Sequence, residues 1–96
     1  MTKLKFYLGE DIFNYVNSVW TSITESLLCY LALESPDGLG KLLCSGLLND
    51  YQIGYSAELL GRTRNIKWIP ILENLDLHPS ALVRDGASAG LAFLQA

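Results

Sequence analysis

Ninety-six residues suffice for one domain and are too few for two. Half of them are hydrophobic and 18% are charged, which excludes a disordered chain. The net charge of −3 is uneven: residues 1–61 carry three cations against seven carboxylates, and residues 62–96 carry four against three. An acidic body argues against nucleic acid as the main partner, because phosphate binding needs clustered cations, and fits a basic protein partner better. The competing reading is that mild acidity only maintains solubility.

In chain order, "MTKLKFYLGEDIF" has two lysines but no long apolar segment and soon turns acidic, so it does not read as a secretory signal. No apolar run approaches the roughly 18 residues of a membrane span. The expected location is therefore cytoplasmic, with no membrane contact. Residues 1–9 read as an extended lead-in, because "KLKFYL" alternates but a single strand makes no sheet. Ile12, Val16, Trp20, Ile23, Leu27 and Leu31 then lay one helical stripe. This predicts either one helix from about Asp11 to Leu33 or two helices breaking near Thr21, with Ser22 and Glu25 at capping-box spacing. "ESPDGLG" stops that segment, and Ser35 can cap the next helix with Pro36 at its first position. That helix runs through "GLGKLLCSGLLND", "DYQIG" is read as a turn, and "YSAELLGR" as a short helix ending at or just after Gly61. Asn65 can cap "IKWIPILENLDL", where Pro70 should kink the helix. "HPS" breaks the chain, and Ser80 can cap a final helix from Ala81 to about Leu94.

A repeat underlies this order. Ile23, Ile53 and Val83 recur every 30 residues, and at the same offset so do Leu27, Ala57 and Ala87; Ser26, Ser56 and Gly86; and Ile12, Leu42 and Leu72. The single domain, residues 1–96, then divides into helix-pair units at 10–34, 37–61 and 65–96. The first is the weakest match.

"HPSALVRDGASAGLAFL" resembles the turn and second helix of a HEAT-type repeat, with its proline, Val-Arg pair and Ala-rich helix. "IGYSAELLG" resembles the same segment without the arginine, and "WIPILENLDL" the first helix of a unit. The resemblance covers residues 37–96 well and 10–34 poorly. It implies an all-α fold, a short HEAT-like right-handed stack of helix pairs with five to six helices, serving as a binding surface. Gly54 stands where the family has arginine, and the array is very short. The family's arginine commonly supports a turn through an acid or a carbonyl, so Arg84 is read as structural rather than ligand-binding, with Asp76 or Asp50 among the candidate acceptors.

Gly86 and Gly90 share a helix face, with Ala87 and Ala89 beside them. Glycine costs up to ~1 kcal/mol per helical site relative to alanine, which close approach of another helix can offset. Apolar residues on both faces of this helix imply burial, by internal packing in preference to a second copy. Cys29 and Cys44 lie in apolar contexts and read as a reduced, buried pair rather than a disulfide.

No catalytic residues, cofactor or metal are expected. His78 is the only histidine and reads as a turn residue; its spacing from the cysteines matches no zinc pattern. There is no phosphate loop or dinucleotide fingerprint. Trp20 and Trp68 read as core, while Tyr51 and Tyr55 flank Asp50 as a recognition surface, since tyrosines anchor and carboxylates steer a basic partner. The alternative is that these rings are buried with their hydroxyls exposed. The expected partner-binding residues are Asp37, Asp50, Tyr51, Tyr55 and Glu58.

In size, acidity and compactness the chain resembles bacterial immunity proteins and antitoxins of the contact-dependent inhibition type. That resemblance implies a non-enzymatic protein that neutralises a toxin, such as a basic nuclease, by occluding its active site. It would be a monomer when free and form a 1:1 complex. The alternatives are a homo-oligomeric adaptor joined through the last helix, and a small enzyme or carrier built on Cys44 and His78.

Overall fold

The computed structural model describes residues 8–95. Of the expected lead-in, residues 1–7 lie outside that range, and Leu8 is helical and buried rather than extended. Gly9 turns the chain at φ 83° into α1, Glu10–Val19, whose first turn carries Glu10 and Asp11 where carboxylates favour the helix dipole. The stripe from Ile12 to Leu31 is not one helix. It breaks at Trp20, and α2, Glu25–Glu34, starts afresh. The cap is Thr24, whose Oγ1 accepts from the Leu27 N–H at 3.1 Å, and not Ser22. Thr24 sits directly before the first helical residue, where a side-chain oxygen reaches the free amides.

Ser35 closes α2 and precedes α3, Pro36–Leu43, with Pro36 in the first turn as expected. Ser35 does not cap with its side chain. The helix also ends earlier than its apolar run suggests: Ser45 Oγ donates to the Leu42 carbonyl at 2.5 Å and Gly46 turns at φ 84°. "DYQIG" is not a turn. It is the start of α4, Asp50–Arg62, capped by Asn49 and Gln52 in a reciprocal box. The Asn49 Oδ1 accepts from the Gln52 N–H at 2.8 Å, and the Asn49 N–H donates to Gln52 Oε1 at 2.9 Å. Asn65 caps as expected, but it opens a 3-10 turn, Ile66–Trp68. The helix α5, Ile69–Leu75, follows with Pro70 in its first turn. There the missing N–H has no carbonyl to serve, so Pro70 starts a helix instead of kinking one. The last helix, α6, is Ala81–Gln95, and the Ser80 carbonyl accepts from the Arg84 N–H at 3.1 Å.

Among the described residues the fold is all helical, six α-helices with no strand. The helix at the centre is α4, which packs on α2, α3 and α6, while α5 packs on α6. The second helices of the three units therefore lie side by side in the order α2, α4, α6. The 30-residue offset has a physical meaning here: Leu27, Ala57 and Ala87 are all fully buried on those helices, as are Leu42 on α3 and Leu72 on α5. The first unit fits less well, because Ile23 lies in the loop before α2 whereas Ile53 and Val83 are helical. Leucines dominate the core, with Leu27, Leu28, Leu31, Leu39, Leu42, Leu60 and Leu72 all but inaccessible. Each such side chain contributes about 2 kcal/mol by leaving water. The Cα radius of gyration, 12.6 Å, matches the roughly 12.5 Å expected of one packed domain of this length.

The closest packing is between α4 and α6. A Cβ on Gly86 would lie 2.0 Å from the Gly54 carbonyl oxygen, and one on Gly61 would lie 2.3 Å from Gly90 Cα. The two backbones touch along Gly54, Gly61, Gly86 and Gly90, so the row of small residues in α6 is a helix-contact face.

Candidate functional site

A groove at the α4–α6 contact combines carboxylates, tyrosine surface and concavity. Asp50, Tyr51, Gly54, Tyr55, Glu58 and Arg62 fall on one arc of α4 by helical spacing. The groove has a volume of about 180 Å³ and is lined by Tyr51, Tyr55 and Glu58 from α4 and by Leu82 and Asp85 from α6. Its base closes where Gly54 and Gly86 meet.

Two contacts from α2 fix the aromatic wall. The Tyr51 hydroxyl donates to Glu25 Oε1 at 2.5 Å. The Tyr55 hydroxyl and Cys29 Sγ are in hydrogen-bonding contact at 3.2 Å, and either can donate. The two rings stack nearly parallel, with centroids 6.2 Å apart and planes 16° from one another. The hydrogen bond to Glu25, with burial and the nearby negative charge, holds the Tyr51 phenol above its ordinary range. Tyr55 is pushed up to about 12, chiefly by its contact with Cys29 and then by desolvation. Both rings therefore remain neutral near pH 7, with their hydroxyl ends tied to α2. Glu58 pairs with Arg62 at 3.4 Å, one turn on, whereas Asp85 forms no ion pair among the described residues. Arg62 in turn lies over the Phe93 ring, 4.8 Å from its centroid.

Of the five expected partner-binding residues, the structure brings Tyr51, Tyr55 and Glu58 into this groove. Asp50 is exposed in the first turn of α4, next to Tyr51 but outside the lining. Asp37 does not join them: it pairs with Lys67 on a separate cleft of about 430 Å³ lined by Gly40, Lys41, Cys44, Trp68 and Ile71. Leu82 and Asp85, half of the groove, were missed from sequence. Their signal was the spacing from Leu82 to Gly86, which puts Leu82 beside the glycine that touches α4. Tyr51 is half-exposed at 50%, and the Tyr55 hydroxyl is tied down, so neither is a buried ring with a free hydroxyl.

Arg84 secures the last turn, and it does so through carbonyls: its Nη1 donates to His78 O at 2.8 Å and to Pro79 O at 2.7 Å. His78 accepts the Ser80 N–H at Nδ1, 3.0 Å away, as a turn residue. The cysteines are free but are not a buried pair. Cys29 is half-buried, and Cys44 is exposed because α3 ends one residue before it. Partial burial of the Cys44 thiol in its cleft pushes its pKa up, which disfavours the thiolate. The cleft that holds Cys44 does not include His78, and no hydrogen bond joins the two among the described residues. Nor do those residues hold a group of three or more side chains able to bind a metal ion. No helix among them is long and apolar enough to cross a membrane. Trp68 is core, as expected, while Trp20 is only partly buried against it.

Compared with known proteins, the chain matches no family model, no curated protein and no solved structure.

Proposed function

We propose that the protein is a non-enzymatic binding protein of the immunity or antitoxin kind, cytoplasmic and monomeric when free. It neutralises a cognate toxin domain in a 1:1 complex by covering that domain's active site. The partner class is a basic enzyme such as a nuclease, whose cations normally hold substrate phosphates. The observation that carries this reading is the α4–α6 groove, a fixed tyrosine wall rimmed by Glu58 and Asp85, with Glu25 and Asp50 beside it. Carboxylates steer a basic surface and rigid aromatic rings anchor it at small entropic cost. The right-handed HEAT-like stacking of the helix pairs belongs to the same proposal, because arrays of the kind the sequence resembles mainly serve as binding surfaces.

The test is co-expression with the toxin domain encoded beside this gene in a bacterial host. The wild-type chain should restore growth. A variant with Asp50→Lys, Glu58→Lys and Asp85→Lys should fail to restore it while remaining folded, since Asp50 and Asp85 are exposed and Glu58 partly so, and reversing a first-turn carboxylate or breaking a surface ion pair costs about 1 kcal/mol or less each. Full protection by the charge-reversed variant would sink this reading, as would a harmless neighbouring product.

A further inference from the structure

We infer that the α4–α6 groove is a receptor for a single arginine side chain of the partner. The inference rests on the protein-binding reading of this face and narrows it to one chemical group.

Three observations point to arginine. The first is charge: Asp85 stands at the groove with no ion-pair partner among the described residues, and Glu58 opposite it is held only by Arg62 at 3.4 Å. The second is size. The groove is small, about 180 Å³, which is room for one side chain over the backbone contact of Gly54 and Gly86 at its base. The third is the wall. The Tyr51 and Tyr55 rings are stacked and tethered at their hydroxyl ends to Glu25 and Cys29, which leaves their carbon surfaces to line the groove. A guanidinium stacks on such surface and donates in a fork to a carboxylate, whereas a lysine ammonium is a compact, strongly hydrated point charge. Leu82, 54% exposed, offers the apolar patch against which the methylene stem packs.

The experiment is an amide chemical-shift titration of the full chain with two blocked tripeptides, Gly-Arg-Gly and Gly-Lys-Gly. The arginine peptide should give saturable shifts centred on Gly54, Tyr55 and Gly86, with a Kd of order 1 mM, as befits one isolated side chain. It should bind at least about fivefold more tightly than the lysine peptide. Asp85→Asn, a change at an exposed side chain, should weaken it by about fivefold. Tyr51→Phe keeps the ring and should retain most of the binding, and Tyr51→Ala should lose it. Equal binding of the two peptides, or shifts that do not saturate at the groove, would overturn the inference. Its failure is distinct from failure of the toxin reading. Protection from toxin without arginine binding removes only the pocket, and arginine binding without protection removes only the toxin.

Discussion

Tyr55 is where the chemistry of one side chain reaches stability. Its phenol is pushed from 10 up to about 12 because the folded chain gives the neutral hydroxyl a partner in Cys29 and removes water from it. A group whose folded pKa is raised contributes stability that is whole below the unfolded value and lost as pH climbs through the folded one. The wild-type chain should therefore lose stability between about pH 10 and pH 12, and Tyr55→Phe should lose less over that interval in urea melts, the remainder coming from Tyr51 and Tyr30, whose phenols are also raised. Ser56, on the same helix, makes the opposite case. It is fully buried, and its hydroxyl finds no partner among the described residues. Ser56→Ala should be neutral or stabilising by about 1 kcal/mol, because it removes an unpaired polar group and leaves almost no cavity.

Helix boundaries and helix contacts follow a logic of their own. The reciprocal cap at Asn49 and Gln52 starts α4, and Gln52 Nε2 also donates to the Ile23 carbonyl at 3.1 Å, tying the α1–α2 loop to the same point. Asn49→Ala should cost about 1 kcal/mol, measured by chemical denaturation. Gly86→Ala should cost about 2 kcal/mol despite the better helix propensity of alanine, since its Cβ would meet fixed backbone rather than a side chain that can move. A gain in stability from that substitution would refute the close contact. These two sites also explain what was legible in the sequence. Gly86 and Gly90 announced a contact face because close approach of a second helix offsets what two glycines on one face cost inside a helix. Gly54 was misread as a turn residue, because a glycine after "DYQI" looks alike whether it frees the backbone or clears space for a neighbour. Only the partner helix distinguishes the two. A break near Thr21 was one of the two readings that the stripe allowed, but the cap was placed on Ser22 by its spacing to Glu25, whereas the side chain that reaches the free amide is that of Thr24.

At the scale of the whole molecule, the surface divides the charges. Asp37 and Lys67 pair on the α3 side, where Lys67 also lies 4.8 Å from the centroid of Trp68, while Glu25, Asp50, Glu58 and Asp85 gather around α4. The groove was half legible because its α4 side is one contiguous segment. Its α6 side depends on a pairing of helices some 30 residues apart, which periodicity suggests and packing decides. Asp37 shows the converse. It was grouped with the acids of α4 by type alone, and the fold places it on another cleft. Its exposed ion pair should be worth less than about 1 kcal/mol, so Asp37→Asn should leave both stability and partner binding nearly unchanged. Light scattering at two protein concentrations should give the mass of a single chain at both. A mass that rises with concentration and falls in Leu82→Lys would instead favour self-association through α6.

The glycine contact also has a consequence in time. Two helices whose backbones touch have no side chains between them to loosen gradually, so α4 and α6 should open only together. In native-state hydrogen exchange their interior amides should share one slow rate and one denaturant dependence, that of global unfolding. The amides of α1, which buries only Val16, should exchange earlier and independently. The groove would then sit on the last part of the molecule to come apart, a surface kept in shape even while the rest of the chain fluctuates.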